Sequence, residues 1–488
     1  MQLRRIIDEK AKIMNNSDIN YVTGDEAISA FKAKTLSPVE LIDAVIEKSE
    51  KVENEINAFT YTFFDQAREA AKIAEKKYAN NEETGELEGL PIGVKDESGI
   101  IGQPLSKGSL IYKDYIAEDT SPVNQRVIDA GAIVHARTAT PEFSCAGFTW
   151  SRLWGVTRNP WNTEFTSGGS SGGSSASLAA GTSTICTGSD IGGSIRIPAS
   201  TCGLVGYKPP YGRNPEEAIF NLDFYCHTGP LARSVKDAIR LQNVMCGPSP
   251  RDIATLRPKL TLPYKYNSIK NWKIAYSPNL GCFEVDAEVE KNTLESLEIF
   301  KSLGATVEEV DLNWGPEVLD AGLAYLGHIF GAAMQDELEQ HGEKLTTYAK
   351  AFAEESLNST PRDFLGSLDV AYKMYETLGP ILESYNVLIC PTTAIPAVPA
   401  EFDPTKDNLE INGKEVNKML GWCMTTPFNT MSRCPVLTVP SGRASNGVPT
   451  GIQIVGRTYC DEDVFQAGLA FETALGGWYG TDSTRPKL

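Results

Sequence analysis

Serine and glycine cluster twice in this chain, at Gly168-Gly169-Ser170-Ser171-Gly172-Gly173 and at Gly188-Ser189-Asp190-Ile191-Gly192-Gly193-Ser194-Ile195-Arg196-Ile197-Pro198. A serine hydroxyl is a poor nucleophile until a base removes its proton, so chemistry at either cluster requires a base brought in from elsewhere in the chain. Three readings compete for the first cluster. A phosphate-binding loop of the form G-x-x-x-x-G-K-[ST] needs a lysine that this stretch lacks. A nucleophile elbow, G-x-S-x-G, is matched formally by Gly168 to Gly172, but the preceding NPWNTEFTS is not the apolar strand that motif requires. Its histidine would have to be His227, His328 or His341, none of which has informative neighbours. Composition alone favours a flexible linker for SGGSSGGSSASLAAG, residues 167–181. Against a linker, the small residues run into SSASLAAG, a good helix start. The apolar chain then continues to Gly192-Gly193 and to what reads as a β-branched apolar strand, IRIP. The expectation is tightly packed backbone, in which side chains would not fit.

The flanking elements follow from periodicity. Residues 24–58 carry apolar residues at helical spacing, and SPVE within them supplies an N-cap, a proline at the first helical position and a glutamate at the third. Two helices therefore open the fold, followed by a charged helix over about Gln66–Tyr78. LEGLPIGVKD reads as a buried strand with Lys95 and Asp96 at its carboxyl end, and RVIDAGAIVHARTATPEF as helix, glycine stop, strand and loop. SVKDAIRLQNVM is a helix capped by Ser234, residues 247–271 are a polar, proline-rich surface excursion, and NWKIAYSPN is a strand. Helical periodicity dominates residues 286–385, after which NVLICPTTAIP, CPVLTVPSG and GIQIVG return as strands. This alternation predicts an α/β fold: one large domain, residues 1–488, with a mixed, mostly buried sheet flanked by helices on both faces. Its core spans about 85–240 and a helical insertion about 286–385.

Composition narrows the class. The 488 residues carry 45 basic and 63 acidic side chains, a net charge of −18 that repels phosphate backbones and disfavours a nucleic-acid partner. The amino terminus, MQLRRIIDEKAKIMNNSDIN, reads as an amphipathic helix without the apolar core of a signal peptide. No run of about 18 consecutive apolar residues occurs, so no membrane span is expected and a cytoplasmic location is. The ten cysteines are scattered without a C-x-x-C pair, and the four histidines show no zinc-ligand spacing. Neither a metal nor a cofactor is expected. Cys145 and Cys186 read as core thiols.

Taken together and in order, the two glycine-serine clusters, Lys95-Asp96 upstream and CGLVGYKP downstream resemble the amidase signature family. So do ELIDAVIEKSEKVENEINAF, AIVHARTATPEF, WGVTRNPWN, GPLARSVKDA and GVPTGIQIVG, which extend the resemblance over nearly the whole chain. It implies an amidohydrolase that cleaves a carbon–nitrogen amide bond through an acyl-enzyme, with Ser194 as nucleophile, Ser170 as bridging serine and Lys95 as base. It also implies a cis peptide at Gly169-Ser170. Lysine serves as a base only when neutral, and lowering a pKa of about 10.4 by about 3 units takes roughly 4 kcal/mol of environmental preference. Burial at the end of LPIGVK acts in that direction. The main-chain N–H groups of Ile191, Gly192, Gly193 and Ser194 are the expected oxyanion donors. Asp190 and Arg196 are expected to support that loop through an ion pair.

The loop SCAGFTWSRLW is expected to line the acyl pocket, with Cys145, Ala146, Gly147 and Phe148 in contact with substrate and Trp150 and Trp154 adding bulk. Tyr225, with Cys226 and His227, forms a second expected wall. The expected partner is a small amide, apolar or aryl, with ester or carbamate as further possibilities; the chain itself is expected to be a monomer or homodimer. Two alternatives stay open: the glutaminase subunit of a tRNA-dependent amidotransferase, and a non-catalytic scaffold on the same fold.

Overall fold

The computed structural model describes residues 19–488, so the helix expected at the amino terminus falls outside the described residues except at its last two positions. The helices that open the described chain start where their caps dictate. Thr23 and Glu26 form a capping box before Gly24–Ala33, and Ser37 and Glu40 form another before Pro38–Ile56, with Pro38 at the first position. The charged helix that follows runs Phe64–Asn80.

Eleven strands form one sheet. In chain order they are β1 (Phe59–Thr62), β2 (Pro91–Lys95), β3 (Ile133–Thr138), β4 (Ile185–Asp190), β5 (Val205–Lys208), β6 (His227–Ala232), β7 (Lys273–Tyr276), β8 (Thr306–Glu309), β9 (Val387–Pro391), β10 (Val436–Arg443) and β11 (Pro449–Val455). Across the sheet the order is β1-β3-β2-β4-β6-β5-β10-β11-β9-β7-β8. Pairs β3-β2, β2-β4, β9-β7 and β7-β8 are parallel, and the centre from β4 to β9 is antiparallel.

Alternate residues of single strands enter different cores, which places helices on both faces. On β9, Val387 and Ile389 join one cluster with the helices Val235–Met245, Ala287–Ser302 and Asp461–Leu475. Leu388 and Cys390 join the other, with Thr347–Ser356 and Pro361–Ser384. The stretch expected to be helical from 286 to 385 also contains a strand: β8 pairs in parallel with β7 at the sheet edge before the helices between Glu317 and Ser384 begin.

The serine-glycine stretch is buried from Ser167 to Gly181, and its second half is the helix Gly172–Ala180. At Gly169 a Cβ would lie 2.4 Å from the Phe148 carbonyl oxygen, so the chains meet backbone to backbone. The expectation for Ile195-Arg196-Ile197-Pro198 needs correction, because this segment opens the helix Arg196–Cys202. Pro198 costs nothing in a first turn, where N–H groups have no intrahelical acceptor. The Asp190 carboxylate replaces a local cap by accepting the N–H groups of Ile195 (3.2 Å) and Arg196 (3.4 Å).

Candidate active site

Lys95 ends β2 and Asp190 ends its parallel neighbour β4, so both reach the crevice beyond the strands' carboxyl ends, where open α/β sheets collect ligand-binding groups. The Lys95 side chain is 1% exposed, and its Nζ donates to Ser170 Oγ at 2.7 Å and to Ser189 Oγ at 2.8 Å. A carboxylate completes the group: Glu97 Oε2 lies 2.9 Å from Lys95 Nζ. Burial pushes the lysine pKa down, and the charge of Glu97 opposes it. Burial would raise the Glu97 carboxyl, but the Lys95 ammonium and the hydroxyls of Ser144 and Ser189 hold it below its ordinary value.

The Gly169-Ser170 peptide is cis. Ser194 stands beside this segment, its carbonyl accepting the Ser171 N–H at 3.2 Å. Among the described residues its hydroxyl has no hydrogen-bond partner, and it faces a narrow cavity. The link from Lys95 to Ser170 is thus closed in this structure, while the Ser194 hydroxyl stands apart from it.

The turn before Ser194 leaves its amides unused. Among the described residues, the N–H groups of Ile191, Gly192, Gly193 and Ser194 have no intramolecular acceptor. Gly192 points its carbonyl the other way, to the hydroxyls of Thr425 (2.7 Å) and Thr426 (2.9 Å). Gly193 sits at φ +131°, where a Cβ would fall 2.0 Å from Thr425 Oγ1. Beneath the turn lies a fully buried ion pair, Arg196 Nη2 to Asp190 Oδ1 at 2.8 Å, whose guanidinium also binds the Thr425 carbonyl, Gln453 and Asn429. Burial alone would raise the Asp190 carboxyl, but Arg196 holds it well below the carboxylate range.

Two cavities meet at this centre and share Ser144, Ile191 and Phe330 in their walls. The wide one, about 500 Å³, is lined by Ser170, Ser189, Cys226 and four glutamates (Glu97, Glu216, Glu217, Glu337) among aromatic rings including Tyr112 and Phe220, with the pKa of Glu216 pushed up to about 8 by burial. The narrow one, about 50 Å³, is lined by Ser194, Gly192, Cys145, Ala146, Gly147, Leu326 and Cys423.

Two residues expected to touch substrate line neither cavity. Phe148 turns its ring into the core against Tyr348 (5.3 Å between centroids) and Phe402 (5.7 Å). Tyr225 stacks on Tyr325 at 3.7 Å and donates its hydroxyl to Thr430. Trp150 and Trp154 also lie outside both walls, their indoles bound to the Phe402 carbonyl and to Ser106. His227 is buried with its ring nitrogens against backbone carbonyl oxygens and its pKa pushed down to about 3 by burial, so it gives the formal G-x-S-x-G motif no base. The residues that sequence reasoning missed are Glu97, Ser189 and Ser144 at the lysine, and Phe330 and Met334 from the helical cover. Only Glu97, two positions after Lys95, left a visible signal.

Comparison with known proteins is consistent along the chain. The Amidase family profile matches residues 40–465. The acylamidase of Rhodococcus erythropolis is 32% identical over 469 residues, covering 94% of this chain and 96% of that protein. A glutamyl-tRNA(Gln) amidotransferase subunit from Acaryochloris marina is also 32% identical, over 487 residues, covering 93% of this chain and 97% of that protein. The crystal structure of a bacterial aryl acylamidase of the amidase signature family superposes with a TM-score of 0.86 at 29% identity, over 93% of this chain and 96% of that one. A match that runs through both glycine-serine clusters and the strands that carry them leaves one conclusion: the chain belongs to the amidase signature family and is an amide hydrolase.

Proposed function

We propose that the chain hydrolyses carboxamides with a short apolar acyl group and a bulky amine, through an acyl-enzyme on Ser194. The observation that carries this reading is the 2.7 Å contact between the buried Lys95 Nζ and Ser170 Oγ, a base already joined to a proton relay beside the serine-bearing turn. Ser194 Oγ attacks the carbonyl carbon while its proton passes to Ser170, whose own proton goes to neutral Lys95. The carbonyl π electrons move onto oxygen, where the unused N–H groups of residues 191–194 receive the charge. Collapse breaks the C–N bond as nitrogen takes a proton back from Ser170, which is restored by Lys95. Water then repeats the attack on the ester, releasing a carboxylic acid and free Ser194.

The relay also sets the orientation. The departing nitrogen must lie next to Ser170, which lines the wide cavity, so the amine occupies that side. The acyl group falls on the Ser194 side, in the narrow cavity behind Cys145, Ala146 and Gly147. The narrow acyl side argues against glutamine as substrate: its γ-glutamyl part would carry an α-ammonium and an α-carboxylate into a cavity walled by Ala146, Ile197, Leu323, Leu326 and Cys423, with no charged side chain to receive them.

The test is amine release by the purified chain alone from anilides of increasing acyl length, from primary amides and from glutamine. Short-chain anilides are expected to be turned over fastest and glutamine not at all. Ser194→Ala is expected to abolish turnover with an unchanged circular-dichroism spectrum. Near-wild-type activity in folded Ser194→Ala would sink the assignment, and glutamine as the preferred substrate would move it to the amidotransferase class.

A further inference from the structure

The proton inventory around Lys95 is complete, and it is unequal. An ammonium has three N–H donors, and three acceptors stand within reach: Ser170 Oγ at 2.7 Å, Ser189 Oγ at 2.8 Å and Glu97 Oε2 at 2.9 Å. Once Lys95 loses a proton to act as base, its lone pair must face a partner that can donate. An ionised carboxylate cannot, so Glu97 keeps an N–H in either state. The Ser189 hydroxyl is already bonded to Glu97, as is that of Ser144. Ser170 is then the one partner with a proton to give. The turn that brings Glu97 back is short, its N–H bonding to the Lys95 carbonyl at 2.8 Å, and its side chain keeps 23% exposure at the wall of the wide cavity.

Building on the hydrolase reading above, we infer that Glu97 is a positioning residue: by accepting from Lys95 and from the Ser189 hydroxyl, it aims the lone pair of neutral Lys95 at Ser170. The same contact makes Glu97 the group that sets the pH at which the base becomes available. A carboxylate this close stabilises the ammonium, so the acid limb of the rate profile lies higher than burial of Lys95 would place it. The other charged or titratable groups facing the pair are Asp190, locked on Arg196, together with Cys226, Glu216, Glu217 and Arg137. All remain in place when Glu97 alone is changed.

The experiment follows the rate at which phenylmethylsulfonyl fluoride labels Ser194, and kcat/KM on a short-chain anilide, as functions of pH. Glu97→Gln keeps the shape and removes the charge, and is expected to move the acid limb of both profiles down by about 1 pH unit or more. Glu97→Asp, which restores the charge, is expected to bring the limb back towards wild type. A Glu97→Gln limb that coincides with wild type overturns the inference, even if activity falls, because a merely structural role lowers the plateau without moving the limb. Should Glu97→Gln not fold, Ser144→Ala decides: freeing Glu97 from one donor strengthens its hold on Lys95 and moves the limb to higher pH, and an unmoved limb overturns the inference. Ser194-dependent labelling with an unmoved limb refutes the role of Glu97 alone. A wild-type protein whose Ser194 does not label refutes the hydrolase reading and the inference with it.

Discussion

On the proposed mechanism Lys95 acts as a base and must be neutral for part of its time, and it is placed between two influences on that balance. Burial at the end of β2 favours the neutral amine, and Glu97 favours the ammonium. Activity should therefore rise as pH increases through the lysine's pKa, the neutral fraction growing on the alkaline side. Lys95→Arg provides a sharp check, because guanidinium stays protonated throughout. We expect a loss of several orders of magnitude in kcat/KM that higher pH does not recover, measured on folded protein. That Lys95, Ser170 and Ser194 come together was legible in the sequence because each lies in a compact motif. Glu97 was visible as a neighbour but not as a partner, since only the turn after β2 shows that its carboxylate returns to the amine. Phe148 misled for a related reason. Its loop does approach the site, but what it presents there is backbone against Gly169, and the ring is free to join the aromatic core with Tyr348 and Phe402.

Between residue and fold stands the short helix Arg196–Cys202, whose start is fixed from outside. Its first N–H groups are bound by a carboxylate from β4, and its first side chain returns an ion pair to the same carboxylate. The turn from Ile191 to Ser194 is stretched between those two attachments. Arg196→Met would keep the volume and leave Asp190 buried without a counter-charge, a change that costs about 3–5 kcal/mol. We expect that loss in the urea unfolding midpoint, with catalysis impaired before global unfolding because the turn loses its anchor. The same coupling explains why IRIP reads as a strand in isolation. Isoleucine and arginine before a proline favour extended chain locally, and the capping group that overrides this lies five residues upstream on another element. By contrast, Ser37-Pro38-Val39-Glu40 carries its own cap, and that helix begins where the sequence says it should.

At the scale of the whole molecule, one sheet gathers the site from distant stretches of chain. The α/β class and the strands β2, β3, β7, β9, β10 and β11 were readable from apolar runs and turn residues. Edge strand β8, TVEE, was not, because it has the composition of a solvated loop, and its exposed glutamates suit an edge that must not pair further. The contributions of Phe330 and Met334 to the cavity were not readable either, since a helical cover shows its own periodicity and not what it covers. Strand β11 lies between β10 and β9, so a chain ending after Gly447 lacks a central strand. We expect such a truncated protein to leave Ser194 unlabelled by phenylmethylsulfonyl fluoride and to fail to give a cooperative melt.

The bond between Arg196 and Gln453 spans 257 residues. During synthesis every group proposed to do chemistry has therefore emerged long before the strand that fixes its geometry, and the growing chain carries a complete set of reactive residues without a working centre. On that reading, synthesis must run 257 residues past Arg196 before Gln453 can brace the guanidinium beneath the turn.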